Sequence, residues 1–299
     1  MDYTHPKRKT KVVFVQLGSP SEPTTKALRK YLRKFLGDPR VIDINPWLWK
    51  IILNCFVLPF RPQKSAKLYA RIWDGESFPL ITNTRDFTKS VSEELKKIDP
   101  EGFVEVNYAF LLSPPYVNEV YDSWEEDLKK GVGATKLLVI PMFPQYSEST
   151  IASGIDALAK ELSKRVKIPT FEVITNFHRT HAFIDNSVNQ VDLKLNELTN
   201  QGKKIDSLII TFHGMQKRRI VNKGDDYYRH CYETFCLITK NLKNIKPEQC
   251  LMSFQSRFGS EEWITPYTED VVKKLISDGK KEIAIYSPSF VADCLETTD

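Results

Sequence analysis

Short apolar runs rich in β-branched residues alternate along the chain with longer stretches in which apolar residues recur every three or four positions. The short runs, at residues 12–17, 104–110, 137–142, 171–175, 207–212, 251–254 and 282–286, predict strands. Several are continuously hydrophobic, as a parallel sheet buried on both faces requires. The longer stretches, at residues 26–36, 82–95, 117–129, 151–165, 182–198, 228–241 and 268–277, predict amphipathic helices. This βα alternation predicts an α/β, doubly wound architecture. Seven strands fit two half-size sheets as well as one large one. The polar stretch at residues 160–169 marks a boundary between lobes at 1–165 and 166–299.

Composition narrows the function classes. A chain of 299 residues with 41% hydrophobic content can bury one large core or two smaller ones. The 43 basic and 38 acidic residues leave a mild +5. No dense basic stripe appears, so nucleic acid is not an expected partner. The triplet Lys7-Arg8-Lys9 reads as a solvated tail. Five cysteines (Cys55, Cys231, Cys236, Cys250 and Cys294) are dispersed without CxxC spacing, which points to a reducing compartment and away from a disulfide framework or zinc ribbon. With no secretory h-region and no apolar run near the roughly 20 residues of a spanning helix, a soluble or peripheral, cytoplasmic protein is expected.

The residues able to do chemistry follow the carboxyl ends of predicted strands: Gly18-Ser19-Pro20, Pro144-Gln145-Tyr146-Ser147, His213-Gly214, Gln255-Ser256-Arg257 and Ser289-Phe290. In open α/β sheets ligands bind outside those ends. His213, between the run 207–212 and Gly214, can be a base near neutral pH, a metal ligand or a satisfied structural histidine. Glu296, in Asp293-Cys-Leu-Glu296, can be a catalytic carboxylate or a surface residue, with Asp293 as a helix N-cap. No Walker loop, GxGxxG, HExxH or GxSxG is present, which removes the common cofactor and hydrolase readings. The stretch 45–60 carries Trp47, Trp49, Ile51, Ile52 and Phe56 and is followed by Arg61, Lys64 and Lys67. It is too short and interrupted to span a bilayer; a membrane-surface contact and a buried core helix both fit it.

Several segments together resemble the ferrochelatases, in that family's order: Gln16-Leu-Gly-Ser-Pro20, Tyr31-Leu-Arg-Lys-Phe-Leu-Gly-Asp-Pro-Arg40, Pro59-Phe-Arg-Pro62, Pro144-Gln-Tyr-Ser147, Phe212-His-Gly214, Asn222-Lys-Gly-Asp225, Phe254-Gln-Ser-Arg-Phe-Gly259 and Phe290-Val-Ala-Asp-Cys-Leu-Glu-Thr297. The resemblance implies two similar Rossmann-like lobes, each a parallel sheet flanked by helices, with the active-site cleft between them. It implies insertion of ferrous iron into protoporphyrin IX with release of two protons, the closing step of haem synthesis. Fe²⁺ is then a substrate, and no prosthetic group is expected.

By the same resemblance His213 and Glu296 are the catalytic pair and the metal ligands. Tyr146 and Ser147 line one wall for the porphyrin, and Gln255, Ser256 and Trp263 another. Arg61 and Ser77 meet a propionate, and residues 45–60 form a hydrophobic lip on the membrane. Leu17 points to the bacterial protoporphyrin type, because the coproporphyrin branch tends to carry tyrosine there. Monomer and homodimer are both compatible.

The chain also departs from the family. Leu111-Leu112 stands where many members carry Arg-Tyr near a metal path, Gln216 replaces a proline common near the histidine, and Cys294 replaces a histidine of some members. The chain stops three residues past Glu296, so no iron–sulfur cluster on a C-terminal tail is expected. A coproporphyrin or other tetrapyrrole chelatase, and a catalytically weakened porphyrin-binding homologue, are the alternatives.

Overall fold

A computed structural model of the chain describes residues 9–131 and 134–298. Lys7 and Arg8 of the expected basic tail lie outside them. All seven expected strands form, and every pairing between them is parallel. They divide into two sheets, one of four strands and one of three, so the two-sheet alternative holds.

In the first sheet β1 (Thr10–Gln16) lies between β2 (Val104–Phe110) and β3 (Lys136–Pro141), with β4 (Thr170–Val173) at the edge beyond β3. The central strand is buried on both faces, which is why its sequence is a continuous apolar run. Around this sheet stand α1 (Thr25–Leu36), α2 (Pro46–Ile52), α3 (Leu58–Tyr69), α4 (Pro79–Ile98), α5 (Val117–Lys129) and α6 (Ser153–Leu162). Val13, Val15, Leu137 and Val139 of the sheet pack on Tyr121, Trp124, Leu158 and Leu162 of α5 and α6. A second core joins Tyr31, Leu32 and Leu36 of α1 to Leu53 and Leu58.

In the second sheet β5 (Ser207–His213) lies between β6 (Cys250–Gln255) and β7 (Ile283–Tyr286). Its helices are α7 (His181–Asn200), α8 (Lys217–Lys223), α9 (Tyr227–Asn241) and α10 (Thr268–Ser277); a last short helix, α11 (Leu295–Thr298), follows β7 in the chain. Leu208, Ile210 and Phe212 of β5 pack against Ile184, Val188 and Val191 of α7 and Cys231 and Ile238 of α9.

The compact units differ from the expected lobes 1–165 and 166–299. Unit one holds residues 9–142, 148–175 and 292–298; unit two holds residues 143–147 and 176–291. The reason for the first shift is β4, whose ladder to β3 (Lys136 with Thr170 through Val139 with Val173) keeps it in the first sheet. The polar stretch read as a boundary is the α6–β4 connection. The second shift carries Glu296 into unit one, whereas His213 belongs to unit two.

The stretch 45–60 is helical through its prolines. Asn45 caps α2 by accepting from the Trp47 and Leu48 N–H groups at 3.1 and 3.2 Å, and Pro46 takes the first turn, where its missing N–H costs nothing. Pro59 has no N–H for the Cys55 carbonyl and its ring crowds that oxygen, so the chain widens into a π-helical turn over Leu53–Val57 and re-enters α3 at Leu58.

Candidate functional site

In unit two the sheet register sets His213 opposite Gln255 at the carboxyl ends of β5 and β6. His213 Nδ1 lies 2.7 Å from the Gly214 carbonyl oxygen. A carbonyl only accepts, so Nδ1 carries the hydrogen and the lone pair of the neutral ring is on Nε2. The ring is half-buried, with the Phe290 and Trp263 rings at centroid distances of 6.3 and 6.5 Å. The Tyr227 hydroxyl donates to the His213 carbonyl at 2.9 Å and pins its backbone.

Gly214 is required at the next position. Its N–H donates to the Gln255 carbonyl at 2.7 Å, and a Cβ there would come within 2.8 Å of that oxygen and 2.9 Å of the Trp263 ring. Trp263 is 3% exposed and its Nε1–H finds no partner among the described residues, a burial that costs about 1–3 kcal/mol. Ser256 takes φ +68°, the one left-handed non-glycine among the described residues. Conformations of this kind cost on the order of 1–3 kcal/mol and gather at functional sites. Thus His213, Gln255, Ser256 and Trp263, singled out from the sequence, share one end of one sheet.

The other unit-two residues, Tyr146 and Ser147, sit on a tightly held loop. Gln145, 2% exposed, donates through Nε2 to Thr234 Oγ1 at 3.1 Å and accepts from Ser289 Oγ at 2.8 Å. The Pro144 carbonyl accepts from the Phe177 N–H at 3.0 Å, and the Tyr146 N–H donates to His230 Nδ1 at 3.1 Å. Ser147 is buried and Tyr146 half-buried. Sequence reasoning missed His230, Thr234 and Tyr227; their spacing along α9 is legible only once the loop is seen against that helix.

In unit one the exposed Glu296, on α11, acts electrostatically on the buried Tyr31 and the half-buried Tyr69. Burial raises the Tyr31 and Tyr69 hydroxyls well above their usual range, and the Glu296 carboxylate adds to the rise in both. Burial and the same carboxylate push the Cys294 thiol up. Tyr31 donates to the Gly18 carbonyl at 3.2 Å, next to Leu17. Gly18 holds φ +91°, and a Cβ there would collide with the Ser113 hydroxyl.

Arg61 is exposed by area yet surrounded by enough protein to be partly desolvated, which lowers its pKa, while Tyr69 opposes that shift. The Tyr69 ring meets Phe78 edge-on at 5.3 Å, and Ser77 precedes Phe78 on a turn where its N–H donates to Asp74 at 2.6 Å. Arg61, Tyr69 and Glu296 are therefore one electrostatic neighbourhood, which Ser77 borders through Phe78. Neither Tyr31 nor Tyr69 was expected in a site role.

Leu17, Leu111 and Leu112 line one cavity of about 260 Å³ in unit one, with Phe35, Val41, Asp38, Ser153, Asp156 and Lys160. The polar pair absent at 111–112 leaves an apolar wall, and the polar groups of this cavity come from α6 and the segment after α1. There Ser153 donates to Asp38, and Arg40 grips Asp156 through two bonds of 2.7 and 3.1 Å.

The two tryptophans of the lip part company. Trp49 turns inward, donating from Nε1 to the Leu36 carbonyl at 2.6 Å and packing on the α1 core. Trp47, Leu48, Ile51, Phe56 and Phe60 face outward, with Trp47 78% exposed. Among the described residues no helix is long and apolar enough to cross a membrane.

The ferrochelatase family model matches residues 9–299. The ferrochelatase of Idiomarina loihiensis is 38% identical over 288 residues, covering 96% of this chain and 76% of that protein. The coproporphyrin III ferrochelatase of Streptococcus mutans is 38% identical over 292 residues, covering 98% and 86%. The ferrochelatase of Marinobacter nauticus is 36% identical over 288 residues, covering 96% and 75%.

Proposed function

The chain belongs to the ferrochelatase family, enzymes that insert a metal ion into a porphyrin, and on that premise we propose that it inserts ferrous iron into protoporphyrin IX. The observation that carries this reading is the tautomer of His213. Each ion that enters the macrocycle displaces two pyrrole N–H protons, and a positioned base must take them. His213 commits Nδ1–H to the Gly214 carbonyl and keeps the Nε2 lone pair for that purpose. Half-buried, the ring can return each proton to water before accepting the next. The Glu296 carboxylate and the His213 nitrogen supply exchangeable oxygen and nitrogen ligands, which suit an ion in transit better than a closed thiolate cage.

Tyr146, Ser147, Gln255, Ser256 and Trp263 contact the macrocycle in this reading, and Arg61 and Ser77 receive a propionate. A guanidinium pairs two N–H donors with one carboxylate. Protoporphyrin is favoured over coproporphyrin because Leu17, Leu111 and Leu112 give an apolar wall that suits vinyl groups better than the additional carboxylates of the latter. The Streptococcus mutans relative favours coproporphyrin as the second reading.

Anaerobic Fe²⁺ insertion measured with each porphyrin decides between them. The expected result is at least about a tenfold higher kcat/KM with protoporphyrin, the discrimination of roughly 1.4 kcal/mol. The reverse preference overturns the choice of porphyrin. Binding of both without insertion into either makes the chain a porphyrin-binding homologue.

The outward apolar face of α2, the π-helical turn and α3 is proposed to rest on the cytoplasmic surface of a membrane, with Lys50, Lys64 and Lys67 toward anionic headgroups. Replacing Trp47 and Phe56 together by Ser is expected to reduce co-sedimentation with anionic liposomes at least about fivefold, the scale set by roughly 1 kcal/mol of lost apolar burial. Trp49→Ser is expected instead to lower thermal stability, because Trp49 packs inward. Unchanged sedimentation of a folded Trp47/Phe56 variant would remove the membrane role.

A further inference from the structure

Resting on the reading of Tyr146 and Ser147 as porphyrin contacts, we propose that His230 is a positioning residue, whose Nδ1 lone pair holds the Tyr146 N–H and so fixes the loop at residues 144–147. An amide N–H only donates, so the 3.1 Å contact requires Nδ1 to be unprotonated and the ring hydrogen to sit on Nε2. A protonated ring would turn an N–H toward the Tyr146 N–H and expel it.

The surroundings keep the ring neutral. His230 is 4% exposed, and burial, the adjacent His178 and Arg229 lower its pKa to about 4, against smaller opposing effects of Asp226 and Glu233. The His178 ring stacks on it at 3.9 Å and 15°. His178 is itself held by Glu233, which accepts from its Nε2–H at 2.7 Å, and meets the Asn176 amide at 3.2 Å. Arg229 Nη2, 3.4 Å from His230 Nε2, can also only donate, so it competes with the Tyr146 N–H for the single lone pair of the neutral ring; the shorter 3.1 Å contact is assigned that lone pair, and the guanidinium charge disfavours a second ring proton.

Thr234 lies one turn after His230 on α9, and its hydroxyl receives the Gln145 amide. One helix face thus grips two consecutive loop residues, Gln145 by its side chain and Tyr146 by its backbone. This is the geometry of a support that acts through other residues and touches no substrate itself. Misplacing a contact residue by about 1 Å can cost up to 100-fold in rate.

The bond is read directly by ¹⁵N NMR of histidine-labelled protein. The expected spectrum shows His230 as the Nε2–H tautomer at neutral pH, unprotonated still at pH 5; a protonated Nδ1 at neutral pH overturns the proposal whether or not any variant folds. Two substitutions then separate hydrogen bonding from packing. His230→Leu removes the acceptor and is expected to lower kcat/KM for iron insertion about tenfold, through KM for the porphyrin more than through kcat. His230→Asn, whose Oδ1 can replace Nδ1 as acceptor, is expected to recover most of that loss, although it lacks the stacked ring. Equal losses in both variants, or none in His230→Leu, overturn the positioning role. Wild-type protein that inserts no metal into any porphyrin sinks the functional reading instead; the tautomer, and porphyrin fluorescence quenching by the two variants, then decide the clamp separately.

Discussion

Replacing His213 by alanine is expected to slow iron insertion by roughly 100- to 10,000-fold, the range over which a lost general base is felt, while porphyrin still binds. β5 is the central strand of its sheet, and its fully buried apolar run delivers the residue after Phe212 to the carboxyl edge. Gly214 then lets the chain pass close to Gln255 and Trp263, and its carbonyl takes the Nδ1 hydrogen of His213. What alanine removes is therefore an Nε2 lone pair held in one tautomer.

His213→Asn makes a sharper control. Its amide can still donate to the Gly214 carbonyl but has nothing to accept a pyrrole proton. Both variants are expected to quench porphyrin fluorescence with affinity within about threefold of wild type, a difference under roughly 1 kcal/mol. A rate above about a tenth of wild type in His213→Asn would take proton transfer away from this ring.

Much of this was legible in the chain. Continuous apolar runs gave away strands in parallel sheets because both faces of such strands are buried, and chemistry-bearing residues were expected after strand ends for the same topological reason. His213, Gln255, Ser256 and Trp263 do gather at one sheet edge.

What failed depended on contacts far apart in sequence. The polar stretch after α6 resembled a lobe boundary, yet four ladder pairs bind β4 to β3. The stretch 45–60 left a surface contact and a core helix both open; the structure makes it helical, with a π-helical turn before Pro59 and with Pro62 carried inside α3. Trp47 and Trp49 look alike in sequence, but only Trp49 has the Leu36 carbonyl to satisfy its indole N–H. The clamp on Gln145 and Tyr146 draws on Thr234 and His230, more than 80 positions away, and no local pattern announces such a partner.

Glu296→Gln is the second substitution from which a large effect is expected, a fall of roughly 100-fold in iron insertion, the lower end of what a positioned acid or base contributes. The two side chains have nearly the same shape, so what changes is charge. Glu296 is exposed, and its α11 is assigned to unit one although it follows the strand β7 of unit two. Burial is the larger cause of the raised pKa of Tyr31, Tyr69 and Cys294, and the carboxylate adds to the rise in each. An amide would leave those groups less resistant to ionisation, so spectrophotometric titration of the variant should show tyrosine pKa values moving down toward the normal range. That shift reports the electrostatic neighbourhood independently of turnover. A divalent ion gains far more from a carboxylate oxygen than from an amide oxygen, so the apparent requirement for Fe²⁺ should rise while the KM for porphyrin stays near wild type. Glu296→Asp keeps the charge on a shorter arm and should fall between the two. If the glutamine variant inserts iron at the wild-type rate while the tyrosine titration still moves, Glu296 is an electrostatic neighbour of Tyr31 and Tyr69 and neither binds the ion nor relays a proton.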